Sequence, residues 1–284
     1  MTTQGQGTGG EHSYPGNDGI EPRRRTRVRR WIARCGALAL AAAGLIAACN
    51  DSRGPTEPSP EEIAEGKTIF RFDTFGDETF WTDTLRMHEV VQTVPPTTAL
   101  AVGLKVDADT LPAVVVQAIQ AGQVNLNDPA TTVTLLKLGA VVGLKATVDA
   151  NNRITRLGIT CALCHSTVDD RITKGIGSRR DGWPNLDLNP GAIIALSPAL
   201  TASQKAVYNS WGAGRYDARF NFDGLNGPTV IPPAYGLDGV NSITFTGDGT
   251  EIAYWNRYVG VTQMHGHGSF SESRLGISVQ NQPD

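Results

Sequence analysis

Residues that bind metals or form disulfides are scarce in this chain: its 284 residues hold four cysteines, five histidines and three methionines. The cysteines stand at positions 35, 49, 161 and 164, too few for a disulfide framework across a chain of this length. No second Cys-x-x-Cys and no His-x-x-x-His accompanies Cys161 and Cys164, so a four-ligand zinc site has no local ligand set. The longest apolar run, Gly36 to Ala48, is about 13 residues, too short to span a bilayer comfortably. No internal repeat is visible, and charged residues make up only 19%.

What is present fits a globular chain with 40% hydrophobic residues, enough for one large domain or two small ones. Glycine (32) and proline (16) predict long loops. The first 22 residues are polar and glycine-rich. Seven arginines follow between Arg23 and Arg34, and then the short apolar run. A basic stretch ahead of such a run predicts a secretory signal. The run ends in Ile46-Ala47-Ala48-Cys49, which resembles a lipobox and implies a lipid on Cys49. Two or more acyl chains would anchor the protein stably to a membrane.

The expected organisation is a lipoprotein-type signal peptide at 1–48, a flexible tether at 49–60, a main domain at 61–270 and a tail or shortened linker at 271–284. Without residues 1–48 the chain keeps 18 basic and 25 acidic side chains, a net charge of −7. That balance argues against nucleic acid as a partner.

Only Cys161 and Cys164 remain outside the leader and the anchor position. In Cys161-Ala162-Leu163-Cys164-His165 the spacing matches two thiols to the two vinyl groups of one haem, and the next histidine becomes the proximal iron ligand. One covalent haem c is therefore the expected cofactor. Export agrees with it, because bacterial haem of this type is attached outside the cytoplasm. A disulfide or a thioredoxin-like site is the rival reading of the same spacing.

Along the chain, Ser59-Pro60-Glu61-Glu62 predicts a helix start, with Ile63, Ile69 and Phe70 as its apolar face. Further helices are expected at 111–121, 130–138, 201–211 and 251–263. Residues 141–148 and 153–159 flank the turn Asp149-Ala150-Asn151-Asn152 and predict a β-hairpin that delivers the haem motif. Glu65-Gly66-Lys67-Thr68-Ile69-Phe70 resembles the first helix of the cytochrome c fold. The expected class is mainly α: a cytochrome c-like haem domain with a long insertion and a small β-hairpin before the motif.

The second axial position is expected to fall to Met264, which follows a helix-like segment and lies C-terminal to the motif. His265 and His88 are the alternatives, and an open site is a third. Arg179, Arg180 and Trp183 are candidates to hold the haem propionates.

A wider resemblance rests on Phe70 to Glu78, the motif through Ser166, Asp181-Gly182-Trp183, Ile231-Pro232-Pro233 and Met264-His265-Gly266. Together they resemble bacterial exported c-type cytochromes distantly similar to the N-terminal half of di-haem cytochrome c peroxidases. That family implies two haem domains, whereas this chain has one haem motif and reads as a shortened or one-haem relative. The expected function is mono-haem electron transfer on the periplasmic side of a membrane, with a redox partner protein in the cell envelope. The alternative is a peroxidase-like enzyme with an open distal site, for which Glu251, His265 or Gln263 could serve as acid/base.

Overall fold

A computed structural model describes residues 58–217, 224–237, 240 and 252–281. Cys49, the leader and Glu251 lie outside the described residues. The chain divides after Pro58, and the elements below belong to the unit Ser59–Asp284.

The first helix, α1 (Pro60–Phe72), starts where its cap dictates. The Ser59 hydroxyl accepts the Glu62 N–H at 3.2 Å, and Glu62 accepts the Ser59 N–H at 2.8 Å. Its apolar residues do not form one buried face. Ile63 is 57% exposed and Ile69 41%, while Phe70 packs against Val142, Ala162 and Val168.

A π-helical turn at Thr79–Thr84 and two short helices follow, α2 (Met87–Val91) and α3 (Pro96–Ala101). Next come β1 (Val106–Asp107), α4 (Ala113–Gln120) and α5 (Pro129–Lys137). Asp128 caps α5 by accepting the Ala130 N–H at 2.9 Å, and Pro129 supplies the preset first turn.

β2 (Leu144–Val148) and β3 (Ile154–Ile159) pair antiparallel. The Asp149 carboxylate closes their turn by accepting the N–H groups of Asn151 and Arg153, both at 2.8 Å. The one-turn α6 (Ala162–His165) leads into β4 (Ser166–Val168), β5 (Ile176–Gly177) and β6 (Arg179–Asp181). Two helices, α7 (Pro190–Ile194) and α8 (Ala202–Asn209), precede the ladder of β7 (Arg215–Tyr216) with β8 (Thr229–Val230). The chain closes with α9 (Ile252–Tyr258), a second π-helical turn at Val259–Gln263, and the hairpin of β9 (Ser269–Glu272) with β10 (Ile277–Gln280).

The expectation of a mainly α, cytochrome c-like fold does not hold. Among the described residues 40% are helical and 17% are in strands, spread over several small sheets, and no cytochrome c fold emerges. Among them are five two-stranded ladders; β1 with β5 is parallel and the other four are antiparallel. Strands of two or three residues leave no alternation in a sequence, so periodicity misses them. The last hairpin spans the start of the segment expected as a tail or shortened linker. Phe270 and Ile277 are buried beneath it against Tyr258 and Val261.

The main core gathers Trp81, Leu85, Met87, Leu135, Leu157, Ile176 and Trp211 with their neighbours. Each fully buried aliphatic side chain there contributes roughly 1.5–3 kcal/mol. This core surrounds the hairpin that carries the motif.

Candidate cofactor site

Backbone hydrogen bonds on both sides fix the motif at the end of β3. The Thr160 N–H donates to Gly143 O at 2.9 Å, and the Thr160 hydroxyl donates to Arg71 O at 3.1 Å. The buried Asp77 carboxyl accepts the Ile159 N–H, 3.2 Å from each oxygen. Gly143 has φ +77°, and a Cβ there would lie 2.2 Å from the Leu163 backbone. The chain therefore turns tightly beneath α6, and only glycine allows it.

Downstream loops hold the other side of the motif. His165 O accepts the Gly182 N–H and Cys164 O accepts the Asn185 N–H, both at 2.8 Å. The His165 Nδ1 lies 3.0 Å from Pro232 O. That bond makes Nδ1 the N–H nitrogen, because a carbonyl only accepts, and leaves Nε2 with a lone pair. A backbone carbonyl behind a ring nitrogen is the usual way a metal-binding histidine is oriented. Burial lowers the His165 pKa below its ordinary value, so the ring is neutral at pH 7 and can ligate.

Cys161, Cys164 and His165 line a cavity of about 860 Å³, measured with its open mouth. Most of its wall is apolar, including Leu104, Leu144, Leu157, Ile193 and Ile194. Met264 and Met87 line the same cavity and are almost wholly buried. Trp81 also lines it, and its Nε1–H donates to Met264 O at 3.1 Å. That bond joins the two π-helical turns, a distortion often found at functional sites.

Both motif cysteines are free thiols. Burial raises the Cys161 pKa and pushes Cys164 up to about 12. A thioredoxin-type nucleophile needs the opposite shift. Among the described residues no cluster of three or more His, Cys, Asp or Glu side chains could hold a metal ion.

The remaining sequence candidates lie elsewhere. Arg179, Arg180 and Trp183 do not line this cavity. Strand alternation separates the two arginines: Arg179 turns inward, 3.2 Å from Asp107, and Arg180 turns out to solvent. Trp183 is half exposed and packs on Tyr235, with ring centroids 5.6 Å apart. His265 adopts φ +63° and stacks on Phe80 at 3.7 Å. It faces a different cavity, shared with His267, and burial lowers its pKa to about 4. His88 is outside the motif's cavity, although its neighbour Met87 is in it.

Sequence reasoning missed Met87, Trp81, Asp77 and the Pro232 carbonyl. Pro232-Pro233 marked a rigid loop, but nothing local tied it to His165 across 67 residues.

The chain matches no family model, no curated protein and no solved structure.

The donor set nevertheless suits a covalently held haem. Two free thiols, a neutral imidazole with one nitrogen fixed on a carbonyl, and a thioether meet at one apolar cavity. These are the ligand types that haem iron and its vinyl groups take.

Proposed function

We propose that the protein is a mono-haem c-type cytochrome that transfers electrons in the bacterial cell envelope. One observation carries this reading: Cys161, Cys164, His165 and Met264 share one apolar cavity although about 100 residues separate the motif from Met264. The term refers to the mode of haem attachment and implies nothing about the fold.

In this reading Cys161 and Cys164 hold the haem through thioethers and His165 offers Nε2 to the iron. The Pro232 carbonyl fixes the imidazole orientation. Met264 offers its sulfur, and Trp81 steadies the turn that carries it. Bound haem supplies one-electron chemistry between ferric and ferrous iron. The aliphatic lining excludes water, which limits reorganisation of the surroundings when the charge changes.

The peroxidase-like alternative needs an acid or base in the same cavity. Apart from His165 and the thiols, the described lining offers Thr160, Tyr216, Gln263 and the Trp81 indole N–H as hydrogen-bonding groups, and the last is taken by Met264 O. His265, one candidate for that role, faces another cavity. Gln263, a second candidate, lines the haem-motif cavity and Glu251 lies outside the described residues, so the carrier reading rests on Met264 and the apolar lining.

Export and a lipid anchor on Cys49 complete the proposal, resting on the arginine-rich leader and on Ile46-Ala47-Ala48-Cys49. Among the described residues no helix is long and apolar enough to cross a membrane. The redox partner is expected to be another envelope protein.

The absorption spectrum of the purified protein tests the reading. It should be six-coordinate and low-spin, becoming high-spin in Met264→Ala. A high-spin spectrum in the unaltered protein, together with peroxide turnover, would contradict the carrier assignment.

A further inference from the structure

A second cavity, about 530 Å³ with its open mouth, lies under α1 and beside β2. Leu144 is the one described residue it shares with the cavity of the haem motif. Four cations line it: Arg71, Lys137, Lys145 and Arg179. Two carboxylates stand behind them. Asp181 binds Arg71 at 2.6 Å, and Asp107 lies 3.2 Å from Arg179. The balance of four positive and two negative charges is +2.

Arg179 makes the cleft more than a basic patch. Its side chain is only 2% exposed. Its Nε and Nη1 are buried and have no hydrogen-bond partner among the described residues. The Asp107 oxygen is close to Nε without hydrogen-bonding geometry, so it offsets charge and leaves the donors unsatisfied. The Phe72 ring lies 5.9 Å from the guanidinium carbon and covers one face. Buried arginine donors left unpaired are costly, and a planar fork of this kind suits an oxyanion. Lys145 is exposed at the rim and has no partner among the described residues, whereas Lys137 donates to Asn152 at 2.9 Å.

We propose that this cleft binds a doubly charged oxyanion of the phosphate class on Arg179 and Lys145, apart from the haem cavity. A phosphate group carries about −1.5 to −2 at neutral pH, which matches the residual charge of the lining. A monocarboxylate would neutralise only half of it. The inference does not depend on the haem assignment.

Calorimetric titration of the purified full chain at low ionic strength tests the site, using inorganic phosphate, glycerol 3-phosphate and acetate in turn. Saturable one-to-one phosphate binding is expected, weakened at least tenfold in Arg179→Gln and severalfold in Lys145→Gln. Acetate should bind at least tenfold more weakly than phosphate. Tighter binding of glycerol 3-phosphate than of inorganic phosphate would identify a monoester as the occupant, and the reverse order free phosphate; both support the site. Lys145 is a rim residue, so its variant keeps the test open if Arg179→Gln fails to fold.

Absence of saturable phosphate binding, or unchanged affinity in Lys145→Gln, would overturn the proposal. Acetate binding as tightly as phosphate would overturn the dianion assignment. An altered haem absorbance in Arg179→Gln without phosphate binding to the parent protein would assign Arg179 to the haem carboxylates instead.

Discussion

Asp77 is wholly buried beneath the motif and accepts the Ile159 N–H, and its burial has a measurable consequence. Burial, opposed by that hydrogen bond and reinforced by Glu78 and Asp73, raises its pKa from 3.8 to about 9. Between these values the folded protein keeps a proton that the unfolded chain has lost. Stability from this group is therefore complete below pH 3.8 and falls as pH rises towards 9. One proton's difference corresponds to about 1.4 kcal/mol per pH unit. The range pH 5 to 8 lies at least a unit inside both values, so the three-unit change approaches about 4 kcal/mol.

Asp77→Asn keeps a carbonyl oxygen for the Ile159 N–H and removes the titration. Urea denaturation of both proteins at each pH gives the difference directly. The variant should gain on the parent steadily, by about 2–4 kcal/mol from pH 5 to 8. His165 and His265 work in the opposite direction. Their pKa values are lowered by burial, so they add stability as pH rises towards 6.5, but they are common to both proteins and cancel. A difference that stays constant across pH 5 to 8 would refute a buried, neutral Asp77.

Four further substitutions test the frame around the motif and its address. Gly143→Ala places a Cβ 2.2 Å from the Leu163 backbone at a φ of +77°, and should lower unfolding stability by at least about 2 kcal/mol. Gly122→Ala, at φ +66° with open space around it, should cost less, and equal losses would rule out the contact with α6. Trp81→Phe removes the donor to Met264 O and should cost about 1–3 kcal/mol while disturbing the Met264-dependent absorbance; an unchanged spectrum and stability would remove Trp81 from the site. Cys49→Ser should release the protein from membranes into the soluble fraction, and retention would refute the lipid anchor.

The parts of the molecule legible in the sequence were governed by neighbours along the chain. Ser59 with Glu62, Asp128 with Ala130 and Asp149 with Arg153 act over two to four residues, so helix starts and the hairpin turn could be located. The motif cysteines and His165 were legible for the same reason. Features set by contacts across the fold were not. Met264 stands out by chain order, whereas Met87, which lines the same cavity, carries no local mark. Asp77 reads as an ordinary surface acid within Gly76-Asp77-Glu78 until β3 covers it. The mainly α expectation failed because strands such as Val106–Asp107 and Ile176–Gly177 pair across about 70 residues and are too short to alternate. The pairing Arg179-Arg180 suggested one clamp, but strand geometry sends the two side chains to opposite faces.

The proposed function depends first on a haem covalently joined to Cys161 and Cys164. Intact-mass spectrometry of the protein purified from a host that matures c-type haem tests it most directly. The expected result is a denatured chain heavier by one haem, and loss of that addition in the double substitution Cys161→Ala with Cys164→Ala. A chain of unmodified mass, with both cysteines open to alkylation or joined to each other, would contradict it.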